Sequence, residues 1–200
     1  REALGVPRDA TLFVVFGGSL GAHHLNERMV SLKSELLAIE GVHVLHSTGA
    51  DDFEATERAL ALSDDETARY RVRPYIDDMG DVLAAADLVL SRAGRPPSPE
   101  IAALAVPSVL VPYPHATADH QTTNARYLVD AGAAKMCADA DIDDRAFADL
   151  VLGLLRDAGT PVMALIAWVL GGVITLASAL SVAEIASNIP RAGGLYTYLE

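Results

Sequence analysis

The stretch FGGSLGAHHLN, residues 16–26, puts three glycines and a serine into one bend, directly behind the apolar run TLFVV at 11–15. A turn of this composition leaves backbone N–H groups unhindered at the mouth of a helix. There the helix dipole and the open donors can hold a diphosphate without a side-chain cation. The bend is not a P-loop, because no Gly-Lys-Ser/Thr follows, and Gly17-Gly18-Ser19-Leu20-Gly21 lacks the dinucleotide spacing. A second reading stays open: a tight strand-to-helix turn that needs glycine for packing, with Ser19 as a helix N-cap. Glu100 also has two readings. Its carboxylate can accept from two neighbouring hydroxyls, or it is an acid favoured by the first turn of a helix. His115, Asp119 and His120 invite a metal reading, but a five-residue His spacing on a proline-bearing loop fits no common zinc pattern, so no metal site is expected. Asp77 and Asp78 read as caps, His23 and His24 as surface residues, and the acids of 51–66 as a solvated face.

The elements that must position these residues alternate strand and helix. Short apolar runs predict strands at 12–16, 42–45, 70–75, 88–90, 108–114 and 134–136. Helical patterning is expected over 22–39, 51–67, 81–86, 100–104, 122–131 and 143–156, with Gly41 closing the first helix. This order predicts one α/β domain, a parallel sheet covered on both faces. Ligands of such sheets gather at the carboxyl ends of the strands. Those ends carry 17–22, 46–49, 76–79, 91–94 and 113–121.

A chain of 200 residues, 51% hydrophobic and 21% charged, is globular in composition. Its net charge of −12 argues against nucleic acid as a partner. The single cysteine, Cys137, excludes a disulfide framework. The sequence opens on Arg1 with no initiator Met and no signal peptide, and it reads as beginning inside a longer chain. Composition then changes near Ala158–Pro161. Beyond Thr160 only Glu184, Arg191 and Glu200 are charged, and 161–183 is free of charge. As a helix that run would reach roughly 34 Å, enough to cross a bilayer core. The expected division is 1–157 as the α/β domain, 158–161 as a junction, and 162–200 as a hydrophobic, transmembrane-length segment.

Taken together, GGSLGAHHLN (17–26), YIDDM (75–79), SRAG (91–94), Glu100 and PHATADHQTTNA (114–125) resemble MurG-type glycosyltransferases, in the same order and at compatible spacing. The resemblance covers residues 1 to about 157 and corresponds to the C-terminal, donor-binding half of that GT-B fold. It implies transfer of N-acetylglucosamine from UDP-N-acetylglucosamine to lipid I, forming lipid II, with inversion and without a cofactor. The implied location is the cytoplasmic face of the bacterial plasma membrane, peripheral by family, or integral if 161–183 spans. The implied donor contacts are Gly18, Ser19 and Gly21 at the diphosphate, Ile76 at the uracil, Gly94 beside them, and Glu100 at the ribose. Gln121 would reach the sugar and Asn124 would hold its loop. The family's N-terminal domain, with the presumed base and the lipid I surface, has no counterpart in these residues, so no catalytic residue is assigned and the 200 residues alone are expected to be inactive.

One departure affects the donor site. RPPSP at 95–99 stands where the family has a small residue and then a Thr or Ser near phosphate. Pro96, Pro97 and Pro99 have no N–H to donate, although prolines suit the first turn of a helix. The tail departs further. AEIASNIPRAGGLYTYL (183–199) resembles the second-helix region of APC-superfamily amino-acid permeases, over about 162–200. It reads as a composite of two unlike pieces, as a membrane anchor on a transferase domain, or as a buried helix; the last suits it least, because it has no polar face. The rival functional reading is a non-catalytic, membrane-tethered nucleotide-sugar-binding module, or a permease fragment.

Overall fold

The computed structural model describes residues 1–17, 22–94, 98–114 and 120–158, with only the helical backbone given for 98–100 and 120. The chain divides into two units, Arg1–Gly159 and Thr160–Glu200. The described residues belong to the first. The expected hydrophobic segment at 162–200 lies outside them, as do Gly18, Ser19, Gly21, Pro96, Pro97, His115 and Asp119.

Strand β1 (Thr11–Phe16) is buried at every position. It pairs in parallel with β2 (Val42–Ser47) on one side and with β4 (Leu88–Ser91) on the other. The sheet continues through β3 (Tyr70–Arg73) beyond β2, and through β5 (Ser108–Leu110) and β6 (Ala134–Met136) beyond β4. Among the described residues this is a six-stranded parallel sheet in the order β3-β2-β1-β4-β5-β6. The order reverses between β1 and β4, and in sheets of this kind ligands bind at such a switch point, outside the strands' carboxyl ends.

Helices cover both faces. On one lie α1 (His23–Leu37) and α7 (Arg145–Ala158). Leu25, Met29, Leu32 and Leu36 recur every three or four residues along α1, and with Phe147, Val151 and Leu155 of α7 they pack on Phe13, Val15, Leu88 and Leu90. On the other face lie α4 (Met79–Ala85), α5 (Ser98–Leu104) and α6 (His120–Asp130). Val82, Ile101, Ala125 and Leu128 meet Leu12, Val14 and Val89 there. Alternate residues of each strand thus feed two separate cores.

Several element boundaries differ from the sequence expectation, each for a local reason. The helix expected over 51–67 is two helices, α2 (Phe53–Leu60) and α3 (Asp64–Thr67). Ala61 ends α2 in the left-handed region (φ 44°), and Ser63 starts α3 with a reciprocal capping box to Glu66. Strand β3 stops at Arg73, not 75, leaving Tyr75 68% exposed. Strand β5 stops at Leu110, four residues before Pro114. Two 3-10 turns, Glu2–Leu4 and Asp139–Asp141, carry no strong periodicity and were not anticipated. No helix among the described residues is long and apolar enough to cross a membrane.

Candidate functional site at the switch point

Of the residues singled out in the sequence, Ile76 and Gly94 lie just beyond β3 and β4, Glu100 lies in α5, and Gln121 and Asn124 lie early in α6; Gly18, Ser19 and Gly21 lie outside the described residues. Gly17 follows β1 directly, and α1 begins six residues later at His23. Its N-cap is Ala22, which has no side chain able to cap. Ile76 lies beyond β3 and is only 8% exposed, packed into the core beneath α4. Glu100 is the third residue of α5. Asp78 occupies the N-cap of α4 but makes no side-chain capping bond, contrary to the expected capping role.

Gly94 and Gln121 come together. The Gln121 side-chain oxygen accepts the Tyr113 N–H at 2.8 Å, which fixes the orientation of the amide. Its Nε2 then lies on the Gly94 side, where a β-carbon on residue 94 would stand 3.5 Å away. A glycine leaves that donor uncovered. Asn124 is half-buried one turn further along α6. The end of β4, the loop after β5 and the start of α6 thus converge at one place.

Two side-chain assemblies beneath this edge were not read from the sequence. The first is buried. Asn26 of α1 donates through Nδ2 to the Thr48 carbonyl and to Asp52 Oδ2, both at 3.0 Å. Both partners are acceptors, so the amide orientation is determined, and Asn26 Oδ1 accepts from His46 Nε2 at 2.9 Å. His46 Nδ1 is left to accept the Tyr70 hydroxyl at 3.1 Å. The imidazole is fully buried and every nitrogen is satisfied in the neutral form; burial depresses its pKa to about 3. The same burial pushes the Tyr70 phenol up. Asp52, placed by the sequence on a solvated face, is in fact part of this network.

The second assembly corrects the expectation that His24 is a free surface residue. His24 is 34% exposed, and its Nδ1 and Nε2 lie 3.1 and 3.0 Å from Asp139 Oδ2 and Asp143 Oδ2. The hydrogen bond to Asp143 raises its pKa, and the bond to Asp139 adds to the rise against the opposing effect of burial. The other Asp139 oxygen holds Arg92, which is 7% exposed. Burial alone would raise the Asp139 pKa, but the bonds from Arg92 and His24 outweigh it and bring it down. The Arg92 guanidinium also lies over the Tyr113 ring, 5.7 Å from its centre, while Arg92 Nε has no hydrogen-bond partner. Among the described residues no group of three or more His, Cys, Asp or Glu is arranged to hold a metal ion.

A parallel six-stranded order that reverses between β1 and β4, with helices packed on both faces, defines a doubly wound α/β domain. The model of the glycosyltransferase family 28 C-terminal domain matches residues 12–163, and the chain belongs to that family. A protein of Nitratidesulfovibrio vulgaris (strain DP4) is 45% identical over 151 residues, which is 76% of this chain and 40% of that one. It is named UDP-N-acetylglucosamine--N-acetylmuramyl-(pentapeptide) pyrophosphoryl-undecaprenol N-acetylglucosamine transferase. A protein of the same name from Salinibacter ruber is 44% identical over 143 residues, 72% of this chain and 38% of that one. The chain therefore spans about 40% of the length of the curated relatives it matches. The crystal structure of Acinetobacter baumannii MurG is 34% identical with a TM-score of 0.61, over 79% of this chain and 46% of that one. The glycosyltransferase SnogD from Streptomyces nogalater, 18% identical with a TM-score of 0.50 over 80% of this chain and 40% of that one, shares the fold. The amino acid permease family model matches residues 152–200.

Proposed function

We propose that residues 1–158 are the donor-binding half of a peptidoglycan glycosyltransferase, which transfers N-acetylglucosamine from UDP-N-acetylglucosamine to lipid I and yields lipid II. The observation that carries this reading is the 45% identity, over 151 residues, to a transferase named for that reaction. The arrangement of the strand ends supplies the physical support. In this reading Gly18, Ser19 and Gly21 bring backbone donors to the diphosphate. The main chain around Ile76 meets the uracil edge, Glu100 accepts the ribose hydroxyls, and Gln121 offers its uncovered amide to the sugar beside Gly94. Asn124 steadies the α6 end of that loop.

The chemistry asked of this half is departure of UDP. The acceptor hydroxyl displaces it from the anomeric carbon in one inverting step, and negative charge grows on the β-phosphate as the glycosidic bond breaks. In this reading backbone N–H groups and the α1 dipole stabilise that charge. Activation of the acceptor hydroxyl requires a base, and that role falls to the N-terminal half of the family. The 200 residues on their own are expected to bind donor and not to turn it over.

Competition of UDP, ADP and GDP against labelled UDP-N-acetylglucosamine tests the reading. UDP is expected to compete best, and equal competition by all three, or none, overturns it. The chain at 162–200 has its own reading, a permease-derived membrane segment at the cytoplasmic face, supported by the permease match over 152–200. Detergent phase partitioning of the full chain should place it in the detergent phase; recovery from the aqueous phase would contradict that.

A further inference from the structure

We propose that Asp139 is a positioning residue of the donor site, holding the start of α1 and the end of β4 at one fixed separation through His24 and Arg92. This rests on the donor-binding reading and extends it to residues outside the strand-end motifs. Four side chains of alternating sign form a continuous line: Asp143, His24, Asp139 and Arg92. They belong to three segments that lie beyond the paired ends of β1, β4 and β6. His24 lies three residues after Gly21, Arg92 follows β4, and the two acids sit between β6 and α7.

The placement of Arg92 follows from the pleat. Leu88 and Leu90 face the α1/α7 core and Val89 faces the other, so position 92 continues on the α1 side. Ser91 is in register with Phe16, which brings Arg92 beside the turn that begins at Gly17. From Arg92 the line continues through stacking on Tyr113, whose N–H orients Gln121. A shift of Asp139 is therefore felt at the start of α1, at the end of β4 and at the Gln121 amide. The unpaired Arg92 Nε is a buried donor at the same joint.

The line is fully charged only while His24 is protonated. The groups facing His24 are Asp139 and Asp143 from the segment after β6 and Arg92 across the shared Asp139. On its own helix the flanking charges are His23, Glu27 and Arg28. With its pKa raised above the ordinary value of 6.5, His24 holds its proton to higher pH than a free imidazole and loses it as pH rises through the raised value. A cationic His24 at the start of α1 also adds attraction for a diphosphate. Donor binding should thus weaken as His24 deprotonates.

The test is the Kd of the full chain for UDP-N-acetylglucosamine between about pH 6 and about pH 8.5, a range spanning the histidine transition. This sugar nucleotide is preferred to UDP because a terminal phosphate titrates near pH 6. The wild-type Kd is expected to rise by about threefold to tenfold across that range, the scale of a modest coupling between sites. His24→Gln should flatten the profile, and Asp139→Asn should both flatten it and weaken binding at the acid end. Asp143→Asn, which leaves the Arg92 contact in place, should reduce the slope but keep acid-end binding close to wild type. In parallel, the His24 ring titration followed by NMR should fall in both aspartate variants, whether or not ligand is present. A role confined to stability would lower the melting temperatures without changing the slope. A flat wild-type profile, or an Asp139→Asn variant that binds as wild type, overturns the proposal and leaves the donor reading standing. Absence of any binding to the folded wild type overturns both.

Discussion

His46 illustrates how much of this domain's chemistry rests on single buried groups. Its ring accepts from Tyr70 and donates to Asn26, both buried, so a second ring proton would have to be carried without water. The folded state holds the ring neutral down to about pH 3, whereas the unfolded chain takes up a proton near the ordinary value of 6.5. The unfolded state binds more protons between those values. Stability contributed by neutral His46 is therefore complete above about pH 6.5 and is lost as pH falls towards 3. Denaturant melts across that range should show a falling midpoint, and the His46→Gln variant should show a shallower fall. Replacing Asn26 by Ala strands the Nε2 donor of His46 and should lower stability by about 1–3 kcal/mol, measured by urea unfolding. None of this was legible in the sequence. His46 and Asn26 are 20 positions apart, and His24 and Asp139 are 115 apart, so only folding makes them neighbours. Gly94 and Gln121 are singled out by the family resemblance, within the strand-end segments 91–94 and 113–121 where ligands of such sheets gather.

At the scale of elements, apolar patterning and punctuation carried the reading furthest. The six strands expected from short apolar runs are all present, because a strand buried on both faces writes a continuous run such as TLFVVF. Periodicity failed where charge was dense. The acids of 51–67 conceal a break, since polar residues on a solvated surface give no phase to follow, and the break is set by Ala61 and the Ser63 capping box. Ala61 adopts a left-handed conformation with φ 44°, which burdens a residue with a β-carbon. Ala61→Gly should therefore raise stability by about 0.5–1 kcal/mol, less than the full relief because glycine also loosens the unfolded chain. A lower midpoint for that variant would show that the strain at this C-cap is absorbed elsewhere. Arg69 shows the opposite device. It donates to the carbonyls of Leu37, Ile39 and Val42, closing the end of α1 onto the start of β2. Its presence just before β3 explains why the first helix and the second strand stay in step with the sheet edge.

For the whole molecule, one physical idea joins the acidic composition to the proposed ligand. A chain of net charge −12 has little long-range attraction for an anionic sugar nucleotide. In the proposed reading the diphosphate is therefore held by local backbone donors, while Arg92, buried among the described residues, is already paired with Asp139. The prolines at 96, 97 and 99 remove donors from the neighbouring turn, so restoring Ala-Leu-Thr at 95–97 should tighten donor binding; an unchanged Kd would show that the glycine turn suffices. The sequence motifs alone pointed to the family because they kept their order along the chain, and the family match over 12–163 spans all of them. The measurement that bears most directly on the account is calorimetric titration of UDP into the folded full chain in the presence of a metal chelator. The account predicts a saturable, one-to-one heat that survives chelation. No heat from demonstrably folded protein, or heat that appears only when a divalent metal is added, would contradict it.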